Sequence, residues 1–300
     1  METVVIAGGT GMIGRKISTL LKKEGYITLS LTRNKKITDS QNFTYWNPKK
    51  GEIDQRIKEA DHIINLAGTG IADKRWSQSR KKEIIESRTL STNLLIRAIS
   101  DHGLSIKTFS NASAVGYYGN RGSKLLSESS PNGSDFLAQV CRLWEDAAMP
   151  AKKLVNRFSI IRIGVVLSKE GGALSKMDAT VPYGISSILG SGKQYMPWIH
   201  IDDLANMFLE SIRNSEINGI YNAVSPNPEA QKGFAKALKR ALYSRAILMP
   251  TPAFLLKTLL GEMSAVVLNS TNVSAQKIVD TGFEFQYPHL DAALHEIYKE

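Results

Sequence analysis

The segment Val4-Val5-Ile6-Ala7-Gly8-Gly9-Thr10-Gly11-Met12-Ile13-Gly14 holds the residues whose types and spacing point most directly to chemistry. An apolar, β-branched run passes straight into closely spaced glycines, and the amphipathic stretch Ile13, Ile17, Leu20 and Leu21 follows. This predicts a strand, a tight turn and a helix. Such a turn lets the backbone approach a pyrophosphate, whose charge is met by free N–H groups at the helix N-terminus. Gly9, Gly11 and Gly14 satisfy G-x-G-x-x-G, while Gly8, Gly11 and Gly14 satisfy the wider G-x-x-G-x-x-G. Glycines also mark ordinary turns, so the flanking strand and helix patterns are what identify a dinucleotide site. Gly8, Thr10, Gly11, Met12, Ile13 and Gly14 are the expected contacts.

The end of the second strand decides which dinucleotide binds, through an acidic residue about 20 residues further on that accepts from the ribose 2′-hydroxyl. Here the strand Tyr26-Ile27-Thr28-Leu29-Ser30-Leu31 runs into Thr32-Arg33-Asn34-Lys35-Lys36, with no Asp or Glu. Arg33 offers a planar guanidinium suited to a 2′-phosphate, with Thr32 as a neighbouring hydroxyl. NADP(H) is therefore expected over NAD(H).

The chain around these motifs has 300 residues, enough to bury a large core as one elaborated domain or two. Cys141 is the only cysteine, which excludes an intramolecular disulfide and a cysteine metal site. The five histidines are scattered without metal-ligand spacing, so no metal is expected. No basic-then-apolar leader opens the chain, and no stretch approaches the ~20 apolar residues needed to span a bilayer. A cytoplasmic enzyme with no membrane partner is expected, and a homodimer is left open. The net charge of +10 is spread over Lys22-Lys23, Arg33 to Lys36, Lys49-Lys50, Arg80-Lys81-Lys82 and Lys236 to Arg240. These clusters fall in different elements, interleaved with acids and without stacking aromatics, which argues against nucleic acid and for a basic surface that attracts a polyanionic cofactor.

Strand and helix patterns alternate through the first half, as an α/β, Rossmann-like doubly wound parallel sheet requires. Phe43–Trp46, Asp61–Leu66 and Lys107–Ser110 read as strands, and 87–100 has helical spacing. Ligands in such sheets bind beyond the C-terminal strand ends, so Leu66, Ala67 and Gly68 and the segment from Asn111 onward are expected to line the crevice. After about Gly219 comes a last strand, Ile220–Val224, then a proline-containing loop and helical patterns over Phe234–Tyr243 and Ala253–Leu260. No internal repeat or low-complexity stretch is present.

The chain resembles the atypical extended short-chain dehydrogenase/reductases, in the "epimerase family protein" group that carries a C-terminal domain of unknown function. The likeness spans essentially the whole chain. It is carried by Gly8–Gly14, Asn65–Gly68, Ile71–Trp76, Ala112–Gly119, Arg162–Leu167, Gly171–Leu174 and Met196–Asp203. The resemblance implies an NAD(P)-binding domain over 1–225, a smaller substrate lobe with the family's C-terminal domain over 246–298, and Val166 among the cofactor contacts.

Working epimerases of this kind use a Ser-Tyr-Lys set: the tyrosine of Y-x-x-x-K moves a proton, the lysine lowers its pKa and holds the ribose, and the serine orients the substrate oxygen. Ser113 resembles the serine, with its hydroxyl expected to face the nicotinamide rather than the core. Anchored on Glu145, however, the tyrosine slot falls at Leu137 and the lysine slot at Cys141, and neither can do that chemistry. The literal match Tyr45-Trp46-Asn47-Pro48-Lys49 comes too early, and Pro48 forbids the helix. Arg88 stands where these enzymes carry a buried asparagine; the cofactor pyrophosphate, or Glu83 about one turn earlier, could meet its charge. Tyr117 and Tyr118, on a glycine-flanked loop, are replacement proton donors or packing for the cofactor. Asp202 or Asp203 is expected to cap a helix, Trp198 and Gln194 to line the substrate side, and Cys141 to be core.

Two function classes follow. One is an NADP(H)-dependent oxidoreductase or epimerase-like enzyme on a small polar substrate, a nucleotide sugar or carbonyl compound, with Ser113, Tyr117 and Tyr118 as catalytic residues. The other is a non-catalytic NADP(H)-binding redox sensor or scaffold. The missing Tyr-Lys pair favours the second; the retained serine and complete substrate lobe favour the first.

Overall fold

The computed structural model describes residues 1–38, 40–243 and 245–299. Eight strands form one sheet: β1 (Thr3–Ala7), β2 (Ile27–Thr32), β3 (Phe43–Asn47), β4 (Glu52–Ile53), β5 (His62–Asn65), β6 (Ile106–Ala114), β8 (Val155–Ile163) and β12 (Gly219–Ala223). Their order is β12-β8-β6-β5-β1-β2-β3-β4. Every pairing is parallel except β3 with β4. The chain winds outward from β1 one way through β2 and β3, then the other way through β5, β6 and β8. The β1/β5 boundary is therefore the switch point, where a doubly wound sheet leaves a crevice at its C-terminal edge.

The central strands are apolar because both faces are covered. All of β1 and β5 is buried. Helix α1 (Met12–Lys23) buries Ile17 and Leu21 against one face, each worth roughly 1.5–3 kcal/mol when withdrawn from water. Helices α2 (Gln78–Asp101) and α3 (Phe136–Ala148) pack beside one another, and α5 (Ile201–Arg213) lies against α1.

Three sequence expectations need correcting. Helix α2 starts at Gln78, not near residue 87, with Ser77 Oγ accepting from the Arg80 N–H at 3.2 Å. Its charged first turns, Gln78-Ser79-Arg80-Lys81-Lys82-Glu83, carry no apolar stripe to reveal them. Strand β6 continues to Ala114, so Ser113 lies within the strand and pairs with Arg162 of β8. At α5 the cap is His200, whose Nδ1 accepts from the Asp202 N–H at 3.2 Å. Asp202 and Asp203 sit in the first turn instead, where the helix dipole favours them. The Asp203 carboxylate accepts from the Gln286 and Tyr287 N–H groups, tying α5 to the C-terminal segment.

Outside the large sheet, the described residues form three two-stranded pairs and six further helices. Strand β9 (Val165–Leu167) pairs with β11 (Trp198–His200), β10 (Ile185–Leu189) with β13 (Ile247–Thr251), and β7 (Leu125–Leu126) with β14 (Asn272–Val273). The helices are α4 (Leu174–Met177), α6 (Gln231–Leu242), α7 (Ala253–Leu260), α8 (Ala265–Leu268), α9 (Gln276–Val279) and α10 (Leu290–Tyr298). Of these elements, β7, β14 and α9 pack onto the large sheet's own core. The smaller lobe, built on β9, β11, α4, α6 and α10, has Phe234, Leu238, Leu294 and Trp198 in its core. The stretch after α8 is fastened back to the sheet domain: Ser270 Oγ donates to the Gly122 carbonyl at 2.6 Å and Thr271 Oγ1 to the Gly119 carbonyl at 3.1 Å.

Candidate functional site

The glycine turn has the shape of a phosphate cradle. Gly8 holds φ of +83°, and a Cβ there would lie 2.9 Å from the Leu66 carbonyl oxygen, so the two crevice loops touch backbone to backbone. A Cβ on Gly14 would sit 2.6 Å from Gly9 Cα and closer still to the Gly8 carbonyl. The Gly11 N–H donates to the Gly8 carbonyl at 3.0 Å, closing the turn. Gly11 is also the residue at the head of α1, with extended backbone and no side chain to cap the helix. The first-turn N–H groups thus lack an internal acceptor and suit an anion. These observations fit a dinucleotide pyrophosphate.

At the end of β2, Thr32 is buried and Arg33 is exposed. Thr32 Oγ1 accepts from the Asn34 N–H at 3.1 Å, which bends the chain so that the Arg33 side chain stands clear of the sheet. Across the crevice, Asn65 fixes the Leu66–Gly68 loop. Its Oδ1 accepts from the Ala67 N–H at 3.2 Å, while its Nδ2 donates to Thr92 Oγ1 at 2.8 Å and to Asn111 Oδ1 at 2.6 Å. Gly68 is exposed at the loop end. The loop after β9 closes down on α1: Arg15 pairs with Glu170 at 3.1 Å, and Gly172 lies against the Met12 methyl. Val166 is half-buried behind that loop.

The hydroxyl groups expected to do chemistry are placed differently. Ser113 is 2% exposed, and its Oγ donates to Glu145 Oε1 at 2.6 Å. Tyr118 is fully buried; its hydroxyl donates to Asn222 Oδ1 at 2.6 Å and accepts from Arg162 Nη1 at 3.0 Å. Burial pushes that phenol up to about 12. Both hydroxyls, expected to face the crevice, are buried and hydrogen-bonded in this structure. Both serve a buried ion pair whose members the sequence reading left without a role. Arg162 donates through Nε and Nη2 to the two oxygens of Glu145, at 2.9 and 2.8 Å. Burial opposes the Arg162 charge most strongly, but the hydrogen bonds and charge of Glu145, together with Tyr118, outweigh it and raise the guanidinium above its ordinary range. Tyr117 stays half-buried, its ring 3.5 Å from the Arg162 guanidinium carbon, and among the described residues its hydroxyl has no hydrogen-bond partner.

The tyrosine and lysine slots do face the end of β6. A Cβ on Gly116 would touch Leu137 Cβ at 3.3 Å and Cys141 Sγ at 3.7 Å. Cys141 is buried, as expected, and burial with the adjacent Glu145 pushes its thiol up to about 12. Glu83 does not meet Arg88. It pairs with Arg80 Nη1 at 2.7 Å, because residues three apart share a helix face and residues five apart do not. Trp198 is core and Gln194 is buried, its Nε2 donating to the Leu189 and Val267 carbonyls. Asn65, at the end of β5, meets Asn111 within β6 because the two strands pair in that register, which no local sequence signal shows.

Comparison with known proteins agrees with this architecture. The profile of the NAD dependent epimerase/dehydratase family matches residues 4–223, and that of a domain of unknown function (DUF1731) matches residues 251–297. A chloroplastic SDR39U1 homolog of Arabidopsis thaliana, called an epimerase family protein, is 37% identical over 302 residues, covering 98% of this chain and 86% of the relative. An epimerase family protein of Mycobacterium leprae is 34% identical over 294 residues, covering 97% and 94%. The crystal structure of human epimerase family protein SDR39U1 (isoform 2) with NADPH superposes with a TM-score of 0.90 at 29% identity, covering 99% of each chain. UDP-N-acetylglucosamine 4-epimerase of Bacillus cereus shares the fold alone, with a TM-score of 0.76 at 16% identity over 99% of this chain and 96% of its own. The chain belongs to the NAD dependent epimerase/dehydratase family.

Proposed function

We propose that this epimerase/dehydratase-family chain is an NADP(H)-dependent oxidoreductase of epimerase-like descent, acting on a small polar carbonyl compound or nucleotide sugar. The uncapped N-terminus of α1 facing the glycine turn, with Arg33 and no acid at the end of β2, is the observation that carries the reading. The relative crystallised with NADPH supports it. In this reading Gly8, Thr10, Gly11, Met12, Ile13 and Gly14 receive the pyrophosphate, Thr32 and Arg33 the 2′-phosphate, and Leu66, Ala67, Gly68 and Val166 the body of the cofactor. The unit 1–225 holds the cofactor and 246–298 completes the substrate side. A cytoplasmic location goes with this reading. Among the described residues, no helix is long and apolar enough to cross a membrane.

Arg33→Ala tests the cofactor assignment. The wild type binds NADPH about tenfold more tightly than NADH, or ~1.4 kcal/mol, and the variant loses most of that preference while keeping its NADH affinity. Equal affinities in the wild type by calorimetry would remove Arg33 from the site.

NADPH supplies a hydride at its nicotinamide ring. The chain must supply the position of the substrate oxygen and its proton, and Tyr117 is the hydroxyl left free to do so. Tyr117→Phe is expected to lower NADPH oxidation on the order of 10²-fold, the scale of a proton-transfer group, across a panel of small carbonyl compounds and nucleotide sugars. Ser113→Ala, which removes a hydrogen bond to a charged group, lowers the melting temperature instead. The second reading, a binding protein without turnover, is favoured by one observation: Ser113 is committed to Glu145. It prevails if saturating NADPH is bound and no panel member is reduced.

A further inference from the structure

Arg88, midway along α2, sends its guanidinium to the crevice. Nη1 donates to the Ile84 carbonyl at 2.9 Å and Nη2 to the Thr69 carbonyl at 3.2 Å. The exposed Gly68 leaves the room it needs, since a Cβ there would stand 2.9 Å from Arg88 Cζ. On the other side lies α3: the guanidinium carbon is 5.0 Å from the centre of the Trp144 ring, one helical turn from Cys141. Cys141 and Trp144 are three apart on one face of α3, so Arg88 lies beside the position where a lysine of Tyr-x-x-x-Lys would stand.

No carboxylate pairs with it among the described residues. Glu83 is bound to Arg80 and Glu145 to Arg162, while burial, helped by the Arg80 charge, brings the Arg88 guanidinium down to about 10. A partly desolvated cation with only two carbonyl acceptors still has donors to offer. The structure keeps this one beside the Leu66–Gly68 loop at the crevice, across from the lysine slot of α3.

We propose that Arg88 is the cofactor-positioning cation of this site, replacing from α2 the lysine that α3 lacks and binding the nicotinamide-side ribose and phosphate of NADP(H). The inference rests on the NADP(H) reading above. It also explains how α3 can carry Leu137 and Cys141, for the charge comes from the opposite wall.

The test compares NADPH with 2′,5′-ADP, which has the adenine half alone, by calorimetry. Arg88→Met is expected to weaken NADPH about tenfold or more while leaving 2′,5′-ADP within about twofold. Arg88→Asn behaves in the same way. The double variant Arg88→Asn/Cys141→Lys, which moves the cation to α3, recovers most of the NADPH affinity. Unchanged NADPH affinity in Arg88→Met overturns the proposal, as does an equal loss for both ligands or a double variant no better than Arg88→Asn. If Arg88→Met fails to fold, the Arg88→Asn and double-variant pair decides alone, judged at matched melting temperature. A wild type that binds neither ligand overturns the NADP(H) reading itself, an outcome distinct from all of these.

Discussion

Glu145→Ala is expected to lower the unfolding free energy by about 3–5 kcal/mol, because it leaves a buried guanidinium without its counter-ion. Arg162 is 1% exposed, so water cannot replace the lost carboxylate. Its remaining acceptors would be the Tyr118 hydroxyl and the Glu128 carbonyl. Ser113 loses its acceptor in the same change. Stabilities of native domains run about 5–15 kcal/mol, so this single substitution consumes a large share. Removing both charges in Glu145→Leu/Arg162→Met should cost less than Glu145→Ala alone, since a buried pair replaced by apolar groups avoids the unpaired cation. Urea unfolding monitored by circular dichroism checks both. A loss under about 1 kcal/mol for Glu145→Ala would show that the pair is solvated, as surface ion pairs are.

Gly14→Ala attacks the cofactor cradle rather than the core. The new methyl would meet Gly9 Cα at 2.6 Å, and these neighbours are backbone, so the turn itself must move. Any outward shift of Gly8 also breaks its close approach to the Leu66 carbonyl. The N–H groups at the head of α1 then no longer converge on one anion, and NADPH affinity is expected to fall on the order of 100-fold, about 2.7 kcal/mol. Affinity within about threefold of wild type in a folded Gly14→Ala protein would mean that the pyrophosphate binds elsewhere.

The contrast between these variants follows what was legible in the sequence. The cradle was readable because its constraints are local: a strand, a steric need for glycine and a helix start occupy Thr3 to Lys23 without a break. The doubly wound parallel class of the sheet followed from the alternation of strand and helix patterns. The position of Ser113 was not readable, because β6 is prolonged to Ala114 by pairing with β8 some fifty residues away in the chain. That pairing sets Ser113 beside Arg162, and Glu145 arrives from α3 to serve both. Only the assembled tertiary structure reveals that a serine with a catalytic look is a hydrogen-bond donor to a structural carboxylate. The helix start at Gln78 was hidden by a charged first turn, and with it the Arg80–Glu83 pair that leaves Arg88 without a carboxylate.

A crystal structure of the protein soaked with NADPH tests the central claim most directly. The expected result places the pyrophosphate within hydrogen-bond reach of the Met12 and Ile13 N–H groups at the head of α1, with the 2′-phosphate against Arg33. A cofactor bound away from the glycine turn, or a 2′-phosphate directed away from Arg33, would contradict it.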